Sequence, residues 1–145
     1  MEQQIQQIKQ QIQQALKQNT RNRSEQIDQI AEALAKVQAS MPAPEKNKHG
    51  NRGSYADLES MLSTAKKTCS EHGIAIYQHY QMNSGHIFLH STLIHTSGQW
   101  LNSTLLADPI EDPKLSYWQC RTLGFTYTKK HHLEAQLGMR GDVED

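Results

Sequence analysis

The sequence predicts an α+β fold: a three-stranded antiparallel β-meander packed with a long C-terminal helix and preceding helices, plus an N-terminal helical arm. Up to Gly73 apolar residues recur at helical spacing, and through residues 74–107 they alternate with a period of two. A helical pattern returns over residues 115–137. Because the strands are grouped together and do not alternate with helices, α+β is favoured over a parallel α/β sheet.

The arm, residues 1–23, is rich in glutamine. Its helix is predicted over residues 1–18, and the segment 19–24 interrupts it with turn-forming residues. The apolar stripe consists of Ile5, Ile8, Ile12, Ala15 and Leu16. A stable coiled coil needs three or more heptads, so this helix is expected to pack on a neighbouring subunit or to fray. Residues 24–145 are predicted to form one domain.

Two helices precede the strands. The first is predicted over residues 25–40, with Ser24 as its N-cap, and the prolines of "MPAP" end it. The second is predicted to begin at Ser54, where "SYAD" fits a capping box, and to end at Gly73. Between them "EKNKHGNRG", residues 45–53, is polar, basic and rich in glycine, which predicts an exposed loop.

The strands are separated by the short glycine-containing breaks "NSG" and "TSG", which indicate tight turns. They are predicted over residues 74–82, 86–95 and 99–107. The loop "DPIEDP" leads into the last helix, and Gly138 is its predicted stop. One side of that helix is predicted to carry Leu115, Trp118, Thr122, Phe125, Lys129, Leu133 and Leu137.

Composition excludes several classes of function. The 15 basic residues balance the 15 acidic ones, so any attraction to phosphate must come from local patches. Cys69 and Cys120 fit no metal or redox spacing and are interpreted as small buried side chains in a reducing compartment. No apolar run approaches the ~20 residues of a membrane helix, and no signal core opens the chain. We therefore expect a cytoplasmic protein.

Enzymatic chemistry has little support in the sequence. No phosphate-cradling G-x-x-x-x-G-K-S/T motif is present, and no nucleophile, base and orienting partner can be assembled. His86 and His90 share a strand face, but a catalytic zinc site usually needs three protein ligands, so solvated histidines are the simpler interpretation. We expect no catalytic residue, no metal and no cofactor.

Two basic clusters are better candidates for a binding site. One lies in the loop before Tyr55, and the other is the run Lys129 to His132 with Arg121 two turns earlier. Cations, hydrogen-bond donors and a nearby ring are what a phosphate backbone with unstacked bases requires, although a solvated loop and a solvated helix face are the alternatives. Because adjacent helical residues diverge by about 100°, Lys129 and Lys130 cannot both be buried and are expected to form a broad ridge. The candidate nucleic-acid-binding residues are Lys46, Lys48, Arg52, Tyr55, Arg121, Tyr127, Lys129, Lys130 and His131.

Four segments carry a family resemblance: "IAEALAKVQASMPAPEKNKHGNRGSYADLESML", "HGIAIYQ", "LIHTSGQWLNS" and "TLGFTYTKKHHLEAQLGM". Through them residues 24–145 resemble the essential recombination function family of phage-type single-strand annealing proteins. In the family's last helix Thr126, Tyr127, Leu133, Leu137 and Gly138 match. Lys129 and Lys130 replace paired arginines, Thr122 and Leu123 replace glycine-serine, and His131 and His132 replace tyrosine-alanine. These departures affect the expected packing and the pH dependence of binding.

The resemblance implies ATP-independent binding of single-stranded DNA and annealing of complementary strands in homologous recombination, within a bacterial host. It also implies homo-oligomers, either rings or helical filaments, and a phage exonuclease or a host single-strand-binding protein as partner. The basic loop and the ridge would line one groove, with bases resting on Tyr55 or Tyr127. Two alternatives stay open: an oligomeric phage adaptor that docks an acidic host protein, and an RNA-binding regulator, each without annealing activity.

Overall fold

The computed structural model describes residues 1–20 and 22–141. The side chains of residues 15–20, which include Ala15 and Leu16 of the predicted stripe, lie outside the description. The acidic run 142–145 also lies outside it. The predicted α+β class is confirmed. The elements are α1 (Glu2–Thr20), α2 (Asp28–Ser40), β1 (Lys48–Gly50), β2 (Gly53–Tyr55), α3 (Leu58–Glu71), β3 (Ile74–Asn83), β4 (His86–His95), β5 (Trp100–Leu106) and α4 (Tyr117–Leu137).

The three predicted strands form one antiparallel sheet in the order β3-β4-β5. Ile74 pairs with His95 at one end of the first ladder and Asn83 pairs with His86 at the other. Ser84 and Gly85 connect these strands with φ values of 52° and 78°, the left-handed pair that a tight hairpin turn requires. The predicted meander is therefore confirmed, with boundaries within one residue of those expected.

The main core lies between one face of this sheet and three helices. Alternate residues of β4, including Leu89 and Leu93, are buried on that face. The helices contribute Ile30, Ala33, Val37, Met61, Ala65, Cys69, Leu133 and Leu137. Both cysteines are buried and free, as predicted, and burial raises the pKa of the Cys69 thiol to about 11. Among the described helices, none combines the length and the hydropathy needed to cross a lipid bilayer.

The predicted start of α2 at Ser24 is wrong, because residues 22–24 run extended along the edge of β5. The N–H of Ser24 donates to the carbonyl of Trp100 at 2.9 Å. The helix begins at Asp28 without a side-chain cap from its own preceding residue. Instead Oε1 of Gln99, from the β4–β5 turn, accepts hydrogen bonds from the N–H groups of Gln29 and Ile30 at 2.8 and 2.9 Å. A distant residue thus satisfies this helix end.

The predicted loop over residues 45–53 contains strand structure, which corrects both the loop and the helix start at Ser54. β1 and β2 form a small hairpin in which Lys48 lies opposite Tyr55, so Ser54 belongs to a strand. The next helix begins at Leu58 with Asp57 as its N-cap. Asn47 fastens the hairpin to this cap: its amide donates to Oδ1 of Asp57, and its own oxygen accepts from the Asp57 N–H, both at 3.0 Å.

Helix α4 ends where predicted, at Gly138 in the left-handed conformation, and Ser116 with Gln119 forms a capping box at its start. Its buried side differs from the prediction, since Trp118 is 68% exposed. The residues turned inward at this end are Cys120, Gly124 and Thr128, which follow one another at four-residue spacing. Gly124 lies directly against residues 108–109, where an added Cβ would stand 2.7 Å from the carbonyl oxygen of Asp108.

We predict that Gly124→Ala destabilises the protein by about 1–3 kcal/mol, because the new methyl group meets backbone and not a flexible side chain. Alanine normally stabilises a helix relative to glycine, so the sign is informative. Urea denaturation measures the change, with Thr122→Ala, an exposed site on the same helix, as the control. A Gly124→Ala variant as stable as the parent would contradict the close contact.

We predict that Asp57→Ala costs about 1 kcal/mol at pH 7 through loss of the helix cap. The pKa of Asp57 is lowered chiefly by the N–H of Ser60, then by Asn47, with Lys48 and Lys130 adding to the effect. A lowered folded-state pKa means that the stabilisation is complete above the ordinary carboxyl pKa of 3.8 and is lost as the pH falls through the folded-state pKa. Urea titrations at neutral and acid pH check this. The same cost at every pH would show that the carboxylate charge is not responsible.

Candidate nucleic-acid interface

The hairpin and α4 meet at a small cleft around two tyrosines. Nζ of Lys130 lies 5.1 Å from the centroid of the Tyr55 ring, a cation–π distance. We call this the tyrosine cleft; it encloses about 210 Å³ and is lined by Tyr55, Asp57, Leu58, Leu123, Thr126, Tyr127 and Lys130. The structure therefore brings together three of the predicted binding residues, Tyr55, Tyr127 and Lys130.

Lys130 does not form the exposed ridge that the sequence predicted, since it is only 4% exposed. The chain after α4 turns back past the hairpin, where the N–H of Ala56 donates to the carbonyl of Gly141 at 3.0 Å. A Cβ on Gly141 would stand 3.7 Å from Cε of Lys130, so this returning segment covers the lysine stem. Lys130 thus contributes positive charge to the cleft from within the fold, and direct contact with a ligand would require the cleft to open.

Lys129 and Arg121 lie on a different side of α4, where Lys129 faces a ring of β3 and Arg121 faces two rings of α4 itself. Nζ of Lys129 is 5.3 Å from the centroid of Tyr80 on β3. Arg121 lies over Trp118 and Phe125, at 5.6 and 5.3 Å from the guanidinium carbon to the ring centroids. Phe125 stacks on Tyr80 with centroids 4.3 Å apart. We call Trp118, Arg121, Phe125, Lys129 and Tyr80 the cation–aromatic stripe.

Three residues of this stripe, Trp118, Phe125 and Tyr80, are not among the binding residues predicted from the sequence. Trp118 and Phe125 were placed on the buried side of α4, although their spacing to Arg121 and Lys129, at three and four residues, was visible. Tyr80 comes from a strand about 40 residues earlier, and no local pattern could have associated it with the helix. The ring contacts of Arg121 are therefore local to α4, whereas the contact of Lys129 with Tyr80 is a product of the tertiary fold.

The remaining candidates lie on exposed parts of the hairpin and of α4. Lys46, Lys48 and Arg52 are exposed around β1 and β2. His131 is exposed and stacks on Tyr127, with centroids 6.5 Å apart and planes 17° apart. Its Nδ1 lies 3.4 Å from a carboxylate oxygen of Glu134, one turn further along the helix. Tyr127 and His131 thus extend the tyrosine cleft along the surface of α4.

The other histidines occupy separate environments. The rings of His79 and His90 stack across β3 and β4 at 4.9 Å, while Nδ1 of His86 lies 2.8 Å from Oδ2 of Asp108. Over the part of the chain that the structure describes, no three histidine, cysteine or acidic residues are grouped to hold a metal ion. His132 is buried, and desolvation lowers its pKa. It would therefore gain charge only at a lower pH than an ordinary histidine.

The chain was compared with known proteins and families. The sequence model of the ERF superfamily matches residues 30–145, which run from the middle of the first turn of α2 to the last residue. No curated protein and no solved structure matches the chain. The family match includes the hairpin, the sheet and all of α4, and thus every candidate residue given above. The resemblance seen in the sequence is confirmed: the chain belongs to the ERF superfamily.

Proposed function

We propose that this protein binds single-stranded DNA and anneals complementary strands in recombination, without ATP or another cofactor, as a homo-oligomer. The observation that carries the proposal is membership of the ERF superfamily over residues 30–145. The family is one of phage-type recombination proteins, which sets the class of activity. The geometry of the two cationic sites on α4 then supports a location for the DNA.

Annealing sets a physical requirement on the binding site. The protein must hold phosphates more firmly than bases, because the Watson–Crick edges have to stay available for the second strand. The hairpin offers exposed cations at Lys46, Lys48 and Arg52, next to the rings of the tyrosine cleft. Such a site attracts the backbone by charge and offers bases only a flat surface.

The ammonium groups of Lys129 and Lys130 lie on two different sides of α4. Lys130 faces the ring of Tyr55 and Lys129 faces the ring of Tyr80. A strand that crosses α4 could therefore meet positive charge on both sides of the helix. Lysine lacks the planar fork of arginine and acts as a point charge, so it attracts phosphate without fixing its orientation.

We predict that the protein accelerates annealing of two complementary dye-labelled oligonucleotides in buffer without nucleotide or divalent metal. Replacing Lys48 and Arg52 together by alanine is expected to weaken binding of single-stranded DNA. If each residue contacts one phosphate, the slope of log K against log salt falls in magnitude by roughly 1.4, at about 0.7 per contact. Energy transfer between the dyes gives the annealing rate, and anisotropy gives the affinity.

The matched control removes the same charge elsewhere. Lys66 and Lys67 are both exposed on α3, and their replacement by alanine is expected to leave the salt slope nearly unchanged. Loss of affinity in the α3 variant equal to that in the hairpin variant would rule out the hairpin as the specific contact. Absence of acceleration by the folded parent protein would rule out annealing, and tighter binding to RNA of the same sequence would favour a regulator of RNA.

Self-association is the second part of the proposal, and α1 offers a surface for it. Ile5, Ile8 and Ile12 lie on one side of this helix and are 48%, 54% and 55% exposed. Three half-exposed isoleucines at helical spacing are typical of a helix that packs on another subunit. The division into an arm, residues 1–23, and a domain, residues 24–145, stays a prediction on which this role depends.

We predict that changing Ile5, Ile8 and Ile12 to glutamine lowers the oligomer mass measured by light scattering, because the variant loses its apolar stripe. Gln3, Gln10 and Gln14 project from the opposite side of α1, so their replacement by alanine is the matched control. Unchanged mass in the isoleucine variant would mean that the subunits associate through another surface.

A further inference from the structure

The cation–aromatic stripe forms a continuous series of rings and positive charges. From one end it runs Trp118, Arg121, Phe125, Tyr80, Lys129, and each neighbour is within 4.3 to 5.6 Å by the ring-centroid distances. Four of the five residues belong to α4 and share one side of that helix. Tyr80 of β3 completes the series. Because the members come from two elements that pack together, the fold holds the stripe in place.

Two rings of the stripe are open to solvent. Trp118 is 68% exposed and Tyr80 is 37% exposed. Tryptophan is a large apolar side chain that usually buries most of its surface, so an indole exposed to this degree on an ordered helix is unusual. Trp118 has Arg121 on one side and Tyr117 edge-on at 5.5 Å. Much of its surface is therefore accessible to a flat ligand.

The two cations of the stripe keep their charge available. Within residues 1–20 and 22–141, neither Arg121 nor Lys129 has a carboxylate within ion-pair distance. Nε of Arg121 is buried and has no hydrogen-bond partner among these residues. A ring holds a cation without neutralising it, and a guanidinium stacked on a ring can still direct N–H groups to an anion. The fold thus orients two positive charges and leaves an external anion to balance them.

We propose that the cation–aromatic stripe is a base-stacking track for single-stranded DNA, in which Trp118 stacks on a base while Arg121 and Lys129 contact phosphates. This inference rests on the proposed function and specifies residues that perform it. Aromatic rings bind bases of any sequence, because every base has a π face, which suits a protein that anneals arbitrary strands. From residue 118 to residue 129 the helix rises about 16 Å, which equals roughly five nucleotides at the 3.4 Å axial spacing of stacked bases in duplex DNA.

The surroundings of Arg121 set a direction for the strand. Arg121 also lines a wider cleft that carries Asp108, Glu111 and Asp112 from the loop before α4. Negative charge in that cleft repels a phosphate backbone. We therefore expect the backbone to follow the stripe towards Lys129, with a base and not a phosphate placed against Trp118.

The test uses the fact that the chain has two tryptophans, Trp100 and Trp118. In a Trp100→Phe background, Trp118 is the only indole, and its fluorescence is expected to be quenched when an oligothymidylate is added. Anisotropy of a dye-labelled copy of the same oligonucleotide reports binding independently. In the parent background Trp118→Ala is expected to weaken binding roughly 5- to 150-fold, the range for one base stacked on a ring, whereas Trp118→Phe retains most of the affinity.

The matched control is Tyr117→Ala, because Tyr117 is 59% exposed beside Trp118 but lies outside the stripe. It is expected to change affinity less than twofold. Binding of the oligonucleotide with unchanged Trp118 fluorescence, together with parent-like affinity of Trp118→Ala, would overturn the stripe while leaving the proposed function intact. Failure of the folded parent protein to bind the oligonucleotide at all would overturn the proposed function and this inference with it.

Discussion

The close contact of Gly124 in α4 with the preceding loop determines which way the other side chains of this helix face. The missing side chain allows the backbone of residues 108–109 to approach so near that an added Cβ would clash. Once Gly124 faces that loop, the period of 3.6 residues fixes the direction of every other α4 side chain. Leu133 and Leu137 then face the core, Lys130 faces the hairpin, and the cation–aromatic stripe faces β3. One backbone contact therefore orients both candidate sites.

The same rotation explains how a chain with no net charge can still carry local positive charge on two sides of α4. Lys129 and Lys130 are adjacent in sequence, yet they contact rings on different strands. Their mutual repulsion is reduced because they project about 100° apart around the helix. The cation–π contact of Lys129 with Tyr80 holds its ammonium without neutralising it, so its charge stays available. The field of this protein is thus local, and its sign changes between the stripe and the acidic loop 108–113.

Local patterns in the sequence were enough to predict the strands and the end of α4. Alternation of buried and exposed residues marks β4 throughout, and a glycine such as Gly138 ends a helix by a local conformational preference. The start of α2 could not be predicted in this way, because the residue that satisfies its N–H groups, Gln99, is about 70 residues away. The hairpin was missed for a related reason. Its strands have three residues each, too few for a period, and Asn47 stabilises it through a cap on the following helix.

The residues of the candidate site could be predicted from the sequence better than their arrangement in space. The two basic clusters and the rings of Tyr55 and Tyr127 follow from the sequence, and the fold does join Tyr55, Tyr127 and Lys130 around one cleft. The burial of Lys130 depends on the returning segment at Gly141, which no helical pattern contains. Trp118 was assigned to the buried side because large apolar residues usually lie there. The rotation of α4 about its axis instead places Gly124 against residues 108–109. Because a glycine has no side chain, it does not contribute to an apolar pattern in the sequence.

A neutral chain with a few local cations has a consequence for how it could anneal DNA. A single subunit that neutralises two or three phosphates gains little affinity at physiological salt, and its hold on a strand is short-lived. Linked subunits convert later contacts into intramolecular ones, so affinity for a long strand grows with their number while each contact stays weak. Weak individual contacts let bases rearrange until they find their complements. In the proposed function, self-association and the modest charge of each site therefore complement each other. The oligomer as a whole holds the strand, while each subunit can release it.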